Sequence, residues 1–180
     1  ADENECRQML STGHQHNGPA AVRYPRGQGP GTEIQQALNI LPVGKAEIRR
    51  QGKNIAILSF GSMLGEALAA ADEIDATVVN MRFVKPLDTK MLDSIANSHQ
   101  LLVTIEENVI AGGAGSGVNE YLQIAQLYTP VINLGLPDRF VEHGATSQLL
   151  SICGLDKQGI LQSIAKHPAA KQVNTNFSTG

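Results

Sequence analysis

From about residue 43 onward the apolar positions recur in a repeating order. Ile55 to Phe60 is a short, largely apolar run of the kind buried on both faces of a parallel sheet. Leu64, Ala67, Leu68, Ala71 and Ile74 then fall at spacings of three and four, which makes one stripe of a crossover helix that Ser62 is placed to cap. Thr77 to Met81 predicts the next strand, and Pro86 with Asp88 opens a helix carrying Met91, Leu92, Ile95 and Ala96 on its inner face. Leu101 to Ile105 predicts a further strand, Val118, Tyr121, Leu122 and Ala125 a further helix, and Val131 to Leu134 another strand. Thr146 and Asp156 are each placed to cap a closing helix, with Gly154 as the stop between them, and Val43 to Arg49 can add an edge strand. Strands alternating with helices in this way predict an α/β fold, a three-layer α/β/α domain over residues 43–167 with a mainly parallel sheet and right-handed crossovers.

The residues upstream follow no such order. Asp2 to His16 supplies a turn or two of amphipathic helix, and Gly18 to Gly27, GPAAVRYPRG, reads as one buried strand. A lone strand can neither satisfy its backbone groups nor bury both faces, so residues 1–27 are expected to be the tail of another domain, with the chain beginning inside it. Pro30 to Pro42, with Gly29 and Gly31 nearby and few large apolar residues, reads as a linker able to wrap an adjacent surface, which puts the boundary at 28–42. The tail over 168–180 has few large apolar groups and is expected to fray.

Composition narrows the partners without naming a chemistry. With 180 residues, 42% hydrophobic and 17% charged, the chain can bury one core of about 100–150 residues plus an arm. A net charge of −3 and a pI near 5.9 give no field that attracts nucleic acid or an anionic membrane, and neither partner is expected. No apolar run approaches the ~20 residues of a membrane helix, and the first residues lack the shape of a signal peptide. A cytoplasmic location is expected, subject to any targeting information upstream of a chain that begins inside a domain. Cys6 and Cys153 stand in different segments without metal spacing and read as ordinary reduced thiols.

Candidate chemistry gathers around two places. In the first, Pro25 fixes its own φ and keeps Tyr24 extended, so that Arg26 emerges where the strand ends and Gly27 lets the backbone turn away. Ligands of open α/β sheets collect beyond such carboxyl ends, and a guanidinium offers a planar fork to a phosphate or carboxylate. The other reading is that Arg23 and Arg26 solvate a domain edge. In the second, the run Gly112 to Gly117 follows a strand and opens a helix, so its amides could cradle an anion. It has the G-x-x-x-x-G spacing of a P-loop, yet Val118 and Asn119 stand where Lys and Ser or Thr must be, and close packing of small residues is the better explanation.

The remaining polar residues suggest no catalytic group. Glu106 and Glu107 are adjacent on a strand and point to opposite faces, so they cannot easily address one bond. His14 and His16 have no third ligand nearby, and His99 and His143 read as surface or interface imidazoles. Ser62 and Ser116 lack the flanking glycines of a nucleophile elbow.

The same segments carry a resemblance. DENECRQML (Asp2 to Leu10), GPAAVRYPRG, MRFVKPLD (Met81 to Asp88), EEN (Glu106 to Asn108), GGAGSGVNE (Gly112 to Glu120) and NLGLPD (Asn133 to Asp138) occur in order, and from Ala1 to about His167 the chain resembles the 1-deoxy-D-xylulose-5-phosphate synthases. These are transketolase-like thiamine diphosphate enzymes with a diphosphate-binding, a pyrimidine-binding and a C-terminal domain. The resemblance implies that Ala1 to about Gly27 closes the pyrimidine-binding domain and that the rest is the C-terminal domain. It implies a parent that condenses pyruvate with glyceraldehyde 3-phosphate with loss of carbon dioxide, for isoprenoid precursor and thiamine synthesis, using thiamine diphosphate and magnesium held by the other domains. Arg26 matches the second arginine of the family's RYPRG motif, which holds the acceptor's phosphate; no catalytic, cofactor or metal residue is carried over. The partners implied are the remainder of the same chain and a second copy in a homodimer, with the Gly112 run packing at an interface. This part alone is expected to be inactive and to bind no cofactor. The alternatives are the C-terminal domain of another transketolase-like enzyme, such as the β subunit of a 2-oxo-acid dehydrogenase, and a free-standing anion-binding or oligomerisation module.

Overall fold

The structure is a computed structural model that describes residues 1–170. A helix α1 (Glu3–Gln15) precedes a long irregular stretch, and regular structure resumes with β1 (Glu47–Arg50) and β2 (Ile55–Phe60). Then follow α2 (Leu64–Ile74), β3 (Thr77–Asn80), α3 (Thr89–Ser98), β4 (Leu101–Val109), α4 (Ala114–Ile124), β5 (Val131–Leu136), α5 (Thr146–Ile152) and α6 (Lys157–Lys166). The five strands lie in the order β1-β3-β2-β4-β5, with β1 antiparallel to β3 and every other pair parallel. This is the mainly parallel sheet that the alternating pattern predicts.

Both faces of the sheet are covered, which is why β2 and β3 are buried at every position. Side chains alternate along β2. Ile55 and Ile57 join Leu64, Ala67 and Ala71 of α2 and Ile160 and Ile164 of α6 on one face. Ala56, Leu58 and Phe60 join Leu92 and Ile95 of α3 and Val118 and Leu122 of α4 on the other. Each fully buried Leu or Ile contributes about 1.5–3 kcal/mol, so these two clusters are the main source of stability.

Local expectations mostly hold for this domain. Asp88 caps α3 by accepting from the Met91 N–H (3.2 Å), and Asp156 caps α6 by accepting from the Gly159 N–H (2.8 Å). Gly154 takes φ +69°, the left-handed stop expected between α5 and α6. Two caps are corrected. Ser62 lies in a 3₁₀ turn, Gly61–Met63, before α2, and its hydroxyl donates to Glu107 Oε2 (2.6 Å) rather than capping the helix. Thr146 is the first residue of α5, whose cap is Ala145 with no side-chain bond.

The arm departs further from expectation. α1 runs for 13 residues rather than a turn or two: the Asp2 carboxylate caps it by accepting from the Glu5 N–H (2.8 Å), and the helix carries on through Gly13 to Gln15. Gly18 to Gly27 forms no strand, and every residue of it except Val22 is exposed. No strand among the described residues pairs with it, so its amides gain no ladder bonds. Residues 30–42 do wrap a surface, that of α1. Arg7 and Gln8 donate to the carbonyls of Gln35, Gln36 and Ala37, and the Leu41 N–H donates to Thr12 Oγ1 (2.9 Å). At the other end, Ala169 and Ala170 pack on the α2/α6 cluster, so the expected fraying does not begin at 168; residues 171–180 of that tail lie outside the described residues.

Candidate functional site

Strand order fixes where a ligand crevice would form. The chain leaves β2 to one side, for β3, and leaves β4 to the other, for β5, so the topological switch point lies beyond the carboxyl ends of β2 and β4. Gly61 (φ +67°) and Ser62 lie on the β2 side, and Glu106 and Glu107 on the β4 side.

Glu106 decides what this end of the sheet can do. It shares a face with Leu102 and Thr104, which is the face that α4 covers, and it is 4% exposed. Its Oε2 accepts from the Ala114 N–H (2.7 Å) and its Oε1 from the Gly115 N–H (2.8 Å), so a carboxylate of the chain itself occupies the positive end of α4. Three further amides of the glycine run are also engaged. Gly112 N–H donates to Ser116 Oγ (3.1 Å), Gly113 N–H to the Ile110 carbonyl (3.1 Å) and Ser116 N–H to the Gly113 carbonyl (3.1 Å). An anion arriving from solution finds those donors occupied. The small residues serve the close approach instead: a Cβ on Gly115 would stand 2.5 Å from Thr104 Oγ1, and one on Gly113 2.4 Å from the Val109 carbonyl.

Glu107 faces away from Glu106, as strand alternation requires, and takes the Ser62 hydroxyl. Here the β4–β5 ladder is interrupted. Ile105 pairs with Leu134 and the next pair is Val109 with Leu136, so four steps along β4 match two along β5. A bulge of this kind turns backbone groups away from the ladder. The Glu107 carbonyl accepts from Arg23 Nη2 at 3.2 Å, which brings the arm to the carboxyl end of the sheet. Arg26 follows three residues later, exposed and in a bend.

A second polar cluster joins α1 to the sheet edge. Glu5 is buried and accepts from Asn80 Nδ2 and Arg82 Nε, both at 2.8 Å, and from the amino group of Ala1. Burial pushes its carboxyl pKa up, but the Ala1 ammonium, Arg82 and Asn80 outweigh that and hold it below 4.5. Arg82 also pairs with Glu47 of β1 and has φ +58°. A cavity of about 560 Å³ opens beside this cluster, lined among others by Asp2, Glu33, Glu47 and Arg49; Arg26 does not line it.

The histidines and cysteines stand apart from both places. His99 Nε2 meets Thr77 Oγ1 at 2.8 Å, Nδ1 meets the Ile95 carbonyl at 3.1 Å, and burial lowers its pKa below 6.5. Cys6 and Cys153 are both free thiols. Three features go unread in the sequence: the Glu106 plug, the Arg23 contact and the Glu5–Arg82 pair. Alternation from Leu102 to Glu106 carries a signal for the first, since it places Glu106 beneath the next helix; the other two join residues 84 and 77 positions apart.

Residues 44–160, which hold the whole sheet and its crossover helices, match the model of the transketolase C-terminal domain. The chain belongs to that family. It is 62% identical over 164 residues to the 1-deoxy-D-xylulose-5-phosphate synthase of Nitrosomonas europaea, covering 91% of this chain and 27% of that protein. It is 57% identical over 166 residues to that of Methylobacillus flagellatus, covering 92% and 27%. Among solved structures, a split-gene transketolase described as an inactive β4 tetramer superposes with a TM-score of 0.68 at 30% identity, over 78% of this chain and 47% of that one. The chain thus spans about a quarter of the length of the curated relatives it matches, and carries their C-terminal domain family within it. Alignments of 164 to 166 residues are longer than the matched domain, so the likeness reaches into the arm.

Proposed function

We propose that this chain is the C-terminal portion of a 1-deoxy-D-xylulose-5-phosphate synthase, a transketolase-type transferase that condenses pyruvate with glyceraldehyde 3-phosphate with loss of carbon dioxide. The supporting observation is the level of identity, 57–62% across more than nine-tenths of the chain, which includes residues outside the shared domain. The pathway role is supply of isoprenoid precursors and thiamine in the cytoplasm, and the assembly is a homodimer. Residues 1–27 close the pyrimidine-binding domain, 28–42 link, and 43–167 brace that domain and contribute to the dimer.

Thiamine diphosphate supplies the carbanion chemistry when bound with magnesium. Among the described residues there is no group of three His, Cys, Asp or Glu that could hold a metal ion, and the amides at the start of α4 are engaged by Glu106. What the chain supplies is position. Arg26, exposed and three residues after Arg23, holds the acceptor's phosphate by a charge-assisted bond and so orders the aldehyde for attack.

The test uses the chain joined to its upstream domains, with both substrates, thiamine diphosphate and magnesium. Formation of 1-deoxy-D-xylulose 5-phosphate is expected, and none from the isolated chain. Transfer to a lipoyl domain in place of glyceraldehyde 3-phosphate would assign the chain to a 2-oxo-acid dehydrogenase instead. Within an active enzyme, Arg26→Ala is expected to raise KM for glyceraldehyde 3-phosphate by the equivalent of about 2–3 kcal/mol while leaving that for pyruvate nearly unchanged. Equal effects on both substrates would remove the phosphate assignment.

A further inference from the structure

The arm is anchored to the domain at two points, and the second lies next to Arg26. The first is α1, held at the sheet edge by Glu5 with Asn80 and Arg82. From there the chain folds back over its own helix, where Gly13 leaves room for Val22: a Cβ on Gly13 would stand 3.1 Å from Val22 Cγ2. The next residue, Arg23, reaches the Glu107 carbonyl.

That acceptor is available for a structural reason. In a regular parallel ladder the β4 carbonyls are taken by the neighbouring strands, but the bulge between Ile105 and Val109 takes Glu107 out of register. Three further contacts fix the bulge. The Glu106 carboxylate is bound by the α4 amides, the Glu107 carboxylate takes the Ser62 hydroxyl at 2.6 Å, and Gly135 passes so close that a Cβ there would lie 2.7 Å from the Asn108 carbonyl. The donor sits on an exposed stretch of the arm, whereas the acceptor is held in place by the domain.

We infer that Arg23 is a positioning residue, whose bond to the Glu107 carbonyl sets the direction in which Arg26 presents its guanidinium to the acceptor phosphate. The inference rests on the proposed phosphate role of Arg26 and deepens it. Arg23 touches no substrate; it removes freedom from Tyr24 and Pro25, the two residues between a fixed point and the working group. Its loss therefore costs binding of the phosphorylated acceptor and leaves the chemistry unaltered.

The experiment measures steady-state kinetics of the full-length enzyme with glyceraldehyde 3-phosphate and, separately, with unphosphorylated D-glyceraldehyde as acceptor. Arg23→Ala is expected to raise KM for the phosphorylated acceptor about three- to ten-fold, the worth of one such hydrogen bond. Rates with D-glyceraldehyde and KM for pyruvate should stay as in the parent, and Arg23→Lys, which keeps a donor, should recover part of the loss. The double variant with Arg26→Ala should be no worse than Arg26→Ala alone. If Arg26→Ala raises KM for the phosphorylated acceptor but Arg23→Ala does not, the positioning role falls and the phosphate reading stands. The positioning role falls equally if Arg23→Ala slows D-glyceraldehyde to the same extent, or if its effect persists in full beside Arg26→Ala. If Arg26→Ala itself leaves that KM unchanged, the phosphate reading falls and the inference falls with it.

Discussion

The arm and the domain it precedes are held together by different forces. Residues 43–170 bury two apolar clusters, one on each face of a sheet whose backbone groups are bonded within it. Residues 1–42 have no such core; Leu10, Tyr24, Ile34, Leu38 and Ile40 are exposed, and the segment is held by side chains bonded to backbone and by a few charge contacts. Apolar burial scales with area and holds a domain by itself, whereas net hydrogen bonds are worth about 1 kcal/mol each and act well only on a surface already in place. Helix α1 is that surface for residues 31–41, and α1 is itself tied to the domain through Glu5 and Arg82.

The largest expected effect tests this contrast from the domain side. Leu58 is fully buried in the middle of β2, and Leu58→Ala removes its contacts and leaves a cavity facing α3 and α4. A loss of about 3 kcal/mol is expected from urea unfolding followed by circular dichroism. A loss under about 1 kcal/mol would mean that the cluster is not the main source of stability.

Next comes the carboxylate that takes the place of an external anion. Glu106→Ala leaves the Ala114 and Gly115 amides buried without an acceptor, for an expected loss of about 2–3 kcal/mol. The same variant opens the end of α4 to solution anions, so added sulfate should recover stability in the variant and leave the parent unaffected. Sulfate that stabilised the parent equally would show that the loop binds anions with Glu106 in place.

This difference between regions also governs what can be read from the sequence. Strand β2 and the stripe on α2 are legible because a sheet covered on both faces imposes local periodicities that sequence displays directly. The arm is misleading because GPAAVRYPRG has the composition of a buried strand, and whether it becomes one depends on a neighbour elsewhere in space. For Ser62 the cause is competition: a hydroxyl suited to capping is taken by Glu107, 45 residues away. The glycine run is legible as a close-packing element, yet not as one sealed by Glu106, because periodicity gives the face a side chain occupies and not the atom it reaches.

Acid should separate the two regions in order. Burial lowers the pKa of His99 below its ordinary 6.5, so the unfolded chain binds the extra proton first as pH falls. Stability is complete above 6.5 and declines as pH drops from there through the folded value, and replacing His99 with Gln should flatten that limb. Glu5 is likewise held below 4.5, so the contact of α1 with Asn80 and Arg82 persists above 4.5 and is lost only as pH falls through the lower folded value. Hydrogen exchange should therefore show the domain softening once pH falls below 6.5 while the Gln35 and Leu41 amides, bonded to α1, remain protected until stronger acid. Release of those amides first would reverse the order and place the weaker titration in the arm.

The smallest effect is expected where the arm carries apolar side chains with no cover. Leu38 is 54% exposed, so Leu38→Ala deletes little buried area and should change stability by no more than about 0.5 kcal/mol. Set beside Leu58→Ala, the same chemical change is then worth several-fold less, and only burial distinguishes the two sites. A cost for Leu38→Ala near that of Leu58→Ala would mean that the arm buries a core of its own in solution. The reliance of the arm on polar contacts would then no longer hold.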